Sequence, residues 1–404
     1  MSMYIRNNVS IDTLNIKGTL AGWSAYGSIN NQGGKINTIN VKEGGKIEQG
    51  VRNNNGTIQT LTINSGTING DITNNGSNAN TGNISITGTS SVSGNIVNQN
   101  GANFNNQITL DADSKLGGIS NNANSTMGGT LDLKGEVGTI SNSGTFSSQL
   151  NLSNKVGTIE NKQGGTISND ITINNGGSVE AINNAGTMQN ITNNGTLSSI
   201  TNSGTMKVIT TKDGSLNNIK GTIESLKITS GDFNLNNLEE GKIADIEING
   251  NGKININDNM NIGYKDGIST FRIVNGATPT LNFGVVRTAI TAQETYPTVR
   301  LVNSTNSANQ TQAKVVIDKL SIDLVGEDTQ IGKSVSLANS VSGAANNGVG
   351  NIYIKSADFS QRLKESGFYG KFNLYTQTVD TRFNSNLGAA GLFSQVFINQ
   401  LGRR

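Results

Sequence analysis

Few side-chain types in this chain can do chemistry. Among its 404 residues there is no His and no Cys. That removes Ser-His-Asp and Cys-His nucleophilic catalysis, His- or Cys-ligated zinc, thiol redox chemistry and any disulfide framework. Carboxylates and amines remain. Paired carboxylates serve glycoside hydrolysis, and clustered Asp, Lys and Arg serve polysaccharide cleavage. Here the acidic residues are scattered, and the closest sets are Asp111 with Asp113, Glu239 with Glu240, and Asp318 with Asp323. Asp111 and Asp113 could bracket a metal ion, but a solvated turn is the simpler reading, because Asp is a turn residue. Trp23 is the sole Trp and stands near Tyr26. The two could stack on a sugar, although burial in the first turns of the fold is the simpler expectation.

No calcium-binding Gly-Asp nonapeptide occurs, and no Gly-rich loop follows a strand and opens a helix. No catalytic, cofactor-binding or metal-ligating residue is therefore assigned. The expectation is a protein that is not an enzyme and carries no cofactor, and binding residues stay unassigned.

The elements that would position any site are repeats. The phrase G-[TK]-I-x-x-[IL]-x-[IV] begins at Gly34, Gly56, Gly221 and Gly241, with a near match at Val9. A nine-residue variant begins at Gly177, Gly186, Gly195 and Gly204, so that two units make 18 residues. Both periods suit one coil of about 20 residues in a parallel β-solenoid. In GTIQTLTI, Ile58 points inward and Leu61 and Ile63 alternate after it, as a strand with one buried face requires. The three-residue step from Ile58 to Leu61 predicts a corner at Gln59 and Thr60. By the same phase Ile191 and Ile200 face inward, and Asn193 and Asn202 lie at turns. Asn at equivalent turns can bond to one another along the axis. Antiparallel hairpins would need a two-residue turn at each Asn-Gly, and repeats that restart in phase suit a solenoid better.

Composition agrees. The chain has 51 Gly, 2 Pro, 33% hydrophobic and 14% charged residues, with a net charge of +2. Disordered chains of low hydrophobicity usually carry high net charge. The balance of 30 basic to 28 acidic residues gives no reason to expect nucleic acid as a partner. No stretch approaches the roughly 18 apolar residues of a membrane-spanning helix.

The pattern changes past residue 262. Both prolines, Pro279 and Pro297, lie there, and longer apolar strands such as AKVVIDKLSIDLVG appear. The expected organisation is a right-handed parallel β-helix over 1–262, a β-rich C-terminal cap module over 263–375, and a linker with a short amphipathic helix over 376–404. Tyr353, Phe359, Phe368, Tyr369, Phe372 and Tyr375 are expected to pack a core. Ala389, Phe393, Phe397 and Leu401 stand at four-residue spacing, as on one face of a helix. The N-terminal Met-Ser-Met-Tyr-Ile-Arg-Asn-Asn has no signal-peptide pattern, so an export signal is expected upstream of this chain.

GTI-type repeats from Gly18 to Gly252, a β-rich end region and the terminal FINQLGRR together resemble the passenger domain of a classical (type V) autotransporter, of the vacuolating-cytotoxin-like or adhesin-like kind. The resemblance implies display at the cell surface or outer membrane, or secretion. It implies an outer-membrane β-barrel downstream and an end module that starts folding outside the cell. It also implies a non-catalytic role in adhesion through a receptor or glycan on host cells or bacteria. A vacuolating or pore-forming toxin is the second reading, and a polysaccharide-acting β-helix enzyme the third.

Overall fold

The computed structural model describes residues 4–23, 25–238, 241–257, 269–274, 276–290, 298–303, 311–324, 334–343, 351–360, 369–373 and 378–382. These residues are almost wholly β-strand, with one 3-10 turn at Leu337–Ser340. The chain forms two compact units, Met1–Glu224 and Ser225–Arg404.

In the first unit every coil contributes to two parallel sheets. One sheet starts with Ile5–Asn7, Ile29–Gln32, Val51–Asn54 and Ile72–Asn75, each paired in parallel with the next. Its register then runs through Ile96, Ile119, Ile140, Ile159, Ile182 and Ile200 to Leu216. The opposite sheet stacks Leu14, Ile39, Leu61, Ile84 and Ile108, and continues through Leu131, Leu150, Ile171 and Ile191 to Ile209. Coil length varies from 16 residues (Ile200 to Leu216) to 25 (Leu14 to Ile39). A parallel β-solenoid is the result, as the repeats predict.

The nine-residue phrases show how sequence becomes coil. Thr187 pairs with Thr205 and Ser178 with Thr196, so each phrase builds one side of a coil and two close it. In Thr196–Asn202 the buried residues are Leu197, Ile200 and Asn202. Two outward residues, Ser198 and Ser199, separate Leu197 from Ile200, which bends the strand without ending it. Gln59 and Thr60 do the same in Thr57–Asn64. The Gly that opens each phrase is required by close approach: a Cβ on Gly186 would lie 2.2 Å from the carbonyl oxygen of Gly165, and one on Gly195 2.2 Å from that of Gly177.

Ile191 and Ile200 face inward as expected. Asn193 and Asn202 do not. Instead of sitting at solvated turns they end strands with their side chains buried. Asn202 belongs to a column of buried Asn, one per coil, running from Asn7 to Asn218 through Asn31, Asn53, Asn74, Asn98, Asn121, Asn142, Asn161 and Asn184. Ten successive side-chain hydrogen bonds of 2.7–3.4 Å join them, and in each the Nδ2 of one coil donates to the Oδ1 of the next coil toward the C-terminus. Nδ2 often bonds a turn carbonyl as well, as from Asn142 to Gly144 at 3.1 Å and from Asn161 to Gly165 at 3.2 Å. A buried amide is thereby satisfied in its stack and in its turn, as burial demands.

In the second unit, parallel pairing links Phe233–Leu238 to Lys253–Ile256, then to Thr280–Ile290, Lys314–Leu324 and the strands Ile352–Ile354 and Ala357–Phe359. Strands on both sides of residue 262 thus share one pairing mode. What changes is length: two of these strands run for 11 residues, and their buried faces add Phe271 against Phe283, with ring centroids 5.5 Å apart. A small antiparallel sheet joins Ser334–Ser336, Thr378–Arg382 and Tyr369–Asn373. Phe359 is buried, but Tyr353 is 46% exposed with the Lys314 ammonium 4.9 Å from its ring centroid. Phe368, Tyr375 and the expected helix bearing Ala389, Phe393, Phe397 and Leu401 lie outside the described residues, and nothing is described of the Tyr369 and Phe372 side chains.

Candidate binding surfaces

The acidic sets picked from sequence are not brought together. Asp111 and Asp113 sit in a turn between Ile108–Leu110 and Lys115–Asn121, where the Ser114 N–H donates to the Asp111 carbonyl at 3.0 Å. Asp318 and Asp323 share one strand but have separate partners: Lys355 lies 2.6 Å from Asp318, and the Ser360 hydroxyl donates to Asp323 at 3.0 Å. Glu239 and Glu240 lie outside the described residues. Among the described residues no group of three or more acidic side chains is placed to hold a metal ion.

Two constellations of carboxylates and cations do form on adjacent coils, and neither was legible as a pair in sequence. On an open strand face of the second unit, Arg272 contacts both Asp245 and Glu247. In the first unit, a groove of about 460 Å³ runs along a corner of the solenoid. Its floor is Gly117, Gly138 and Gly157, and its walls include Lys115, Glu136, Lys155 and Glu180. The floor is bare of side chains for a steric reason: a Cβ on Gly138 would meet the Gly117 carbonyl oxygen at 2.2 Å. The recurring phrases Leu-Gly-Gly-Ile, Val-Gly-Thr-Ile and Val-Gly-Thr-Ile at Leu116, Val137 and Val156 were the available signal.

Charge in this groove is paired, Lys115 with Glu136 and Lys155 with Glu180, each at 3.0 Å. Glu180 first, and Glu136 behind it, hold the Lys155 ammonium above the ordinary lysine value of 10.5. A general base needs the opposite shift, toward neutrality near the working pH. The groove is therefore a zwitterionic shelf. Because the shift is upward, any stability from this exposed pair is present at neutral pH and is lost only as pH rises through the raised pKa. Glu180→Gln is expected to lower the Lys155 pKa in an NMR titration and to leave the melting temperature at pH 7 unchanged. A substantial loss of melting temperature would make the pair structural.

The aromatic residues at the N-terminal coils end up elsewhere than expected. Trp23 is 56% and Tyr26 44% exposed, so they are not buried in the first coils. Their ring centroids are 5.3 Å apart, and Tyr4 from the preceding coil approaches Trp23 at 6.3 Å and Tyr26 at 6.4 Å. Hydrogen bonds hold the turn that carries them. The N–H groups of Tyr26 and Gly27 donate to the Trp23 carbonyl at 2.9 and 2.8 Å, and the Trp23 N–H donates to the Gly27 carbonyl at 3.2 Å. Ser28 Oγ donates to the Ala21 carbonyl at 3.0 Å, and Arg52 Nη1 to the Ala25 carbonyl at 2.7 Å.

No family model matches this chain, and no curated protein and no solved structure matches it either.

Proposed function

We propose that this chain is a non-catalytic, autotransporter-type passenger, displayed at the cell surface or secreted, that mediates adhesion to host cells or other bacteria. What carries the reading is the outward face of the first-unit solenoid. There, short uncharged polar side chains stack coil on coil, as in the rows Asn15–Asn40–Thr62–Ser85–Thr109 and Asn151–Thr172–Thr192–Thr210. Parallel pairing fixes such rows at about 4.8 Å spacing, which gives a rigid, repetitive, hydrogen-bonding surface suited to many weak contacts with one partner. The toxin reading asks for a contiguous apolar patch. The large hydrophobic residues exposed among those described are Val9, Trp23, Tyr26 and Tyr353, too few for a membrane-inserting face. The enzyme reading asks for a carboxylate or amine freed for proton transfer, and the groove's carboxylates are paired to charged lysines. The reading implies a surface receptor or glycan as partner, no cofactor, and a membrane β-barrel following the passenger.

The test is binding of the fluorescently labelled chain to epithelial cells and to bacteria, run beside dye release from liposomes and product release from a polysaccharide panel. Saturable cell binding without dye release or turnover is expected. Absence of saturable binding, dye release at nanomolar protein, or turnover abolished by Glu136→Gln or Glu180→Gln would each overturn it.

A further inference from the structure

We propose that Tyr4, Trp23 and Tyr26 form a sugar-binding platform whose ligand is a pyranose ring of a surface glycan. The proposal rests on the adhesive reading above and gives it a site and a ligand class.

The first observation is architectural. In the sheet that begins with Ile5–Asn7, the corner between Lys46–Ile47 and Val51–Asn54 takes three residues, 48–50, and the next, between Thr67–Ile68 and Ile72–Asn75, takes three, 69–71. The equivalent corner between Thr19–Leu20 and Ile29–Gln32 takes eight, 21–28. The five extra residues do nothing for the coil, since the strands on either side keep the register of their neighbours. They carry the chain's only Trp and a Tyr out into solvent.

The second observation is the exposure itself. Aromatic residues make up 5% of the chain, and Phe104, Phe146, Phe233, Phe271 and Phe283 are fully buried. Here two aromatics stand at 56% and 44% exposure with a third ring against both. Leaving apolar rings in water is unfavourable by the area they expose. The turn beneath them is also tied down at both ends, so the rings are preorganised and little ordering entropy remains to be lost on binding.

The third is chemical. A pyranose presents one face of axial C–H groups, which packs on a flat aromatic ring, and an equatorial rim of hydroxyls, which seeks donors and acceptors. Tyr4 and Tyr26 lie with ring planes only 17° apart, and Trp23 stands edge-on to both at 62° and 68°. That gives near-parallel faces with a wall beside them. The phenol hydroxyls are amphipathic tips of the kind that bond at wet interfaces. A purely apolar partner would make no use of them.

The sole Trp makes the test direct, because its emission reports on this turn alone. The wild-type chain is titrated with neutral oligosaccharides (chitotriose, cellotriose, lactose) and with acidic ones (sialyllactose, a heparin tetrasaccharide). A saturable emission change with at least one of them is expected, with Kd raised at least fivefold in Tyr26→Ala and Tyr4→Ala. Both substitutions are at the surface, so circular dichroism melts should match wild type. The two sets of sugars separate a neutral from an acidic pyranose. No emission change with any sugar overturns the proposal, as does unchanged affinity in both Tyr variants. So does retention on a glycoprotein-coated surface that survives enzymatic deglycosylation, which would make the turn a protein contact. Cell binding that persists in Tyr26→Ala would remove the platform and leave the adhesive reading standing. Sugar binding without cell binding would do the reverse.

Discussion

Asn142→Asp is expected to destabilise the first unit by about 3–5 kcal/mol at pH 7, the range for an uncompensated buried charge, and to lose most of that deficit in acid. Asn142 lies in the middle of the amide column. Its Oδ1 accepts from Asn121, and its Nδ2 donates to Asn161 Oδ1 and to the Thr166 carbonyl. An ionised Asp keeps the acceptor and turns a second oxygen on two oxygens that had been receiving a proton. Burial and those oxygens raise the folded-state pKa of the new carboxyl above its unfolded value of about 3.9. A raised pKa means that the unfolded state binds fewer protons between the two values. Stability relative to wild type is therefore restored below the unfolded pKa and lost as pH rises through the folded one. Urea melts of both proteins at pH 7 and pH 3.5 give the comparison, with Asn183→Asp on the exposed side of the same sheet as the control, expected within about 0.5 kcal/mol of wild type. A deficit that is equal at both pH values, or no larger than the control's, would show that the column is not a stabilising network.

Ile191→Asp and Asn193→Ser should both be costly, the first by about 4 kcal/mol or more and the second by about 1–3 kcal/mol. Ile191 is fully buried in the aliphatic column between Ile171 and Ile209. A carboxylate there has no partner within the coil. Were Asn193 a turn residue in solvent, Ser would replace it at small cost. It is instead buried, with Nδ2 donating to Thr211 Oγ1 at 3.1 Å and to Asp213 Oδ1 at 3.4 Å. Ser is too short to span that distance and leaves the Thr211 hydroxyl and a void behind. The same denaturant melts decide it: a mild Asn193→Ser beside a severe Ile191→Asp would return Asn193 to the solvent side.

These two residues also show where sequence reading stops. The inward phase of Ile191 was legible, because a buried aliphatic repeats at fixed spacing and nothing else in the phrase competes for the core. Asn193 was not, because Asn is both a turn residue and an amide that a stack can satisfy, and local pattern cannot separate the two. Only a neighbour 18 or more residues away supplies the partner. For the same reason the Asn column could be anticipated as side chains bonding along the axis, but its burial and its single direction of donation could not.

The candidate surfaces divide likewise. Trp23 and Tyr26 were visible as a possible sugar contact, yet sequence favoured burial, since aromatics usually fill cores. The eight-residue corner puts them outside, and its length stands out only once the three-residue corners of later coils are seen beside it. Lys115, Glu136, Lys155 and Glu180 are 19 to 25 residues apart in sequence, and only the register of the parallel sheet makes them neighbours.

By itself, then, the sequence determined the class of fold, the period, the inward aliphatic columns and the absence of His and Cys chemistry. Those follow from residue type and short-range spacing, because each strand needs one buried face and each corner needs residues that turn. Tertiary structure alone decided which Asn are buried, which charges meet across coils and which aromatics reach solvent. Each of those depends on the exact number of residues between equivalent positions, which ranges from 16 to 25 in the first unit, and a change of one residue in a coil moves a side chain from one face of the sheet to the other.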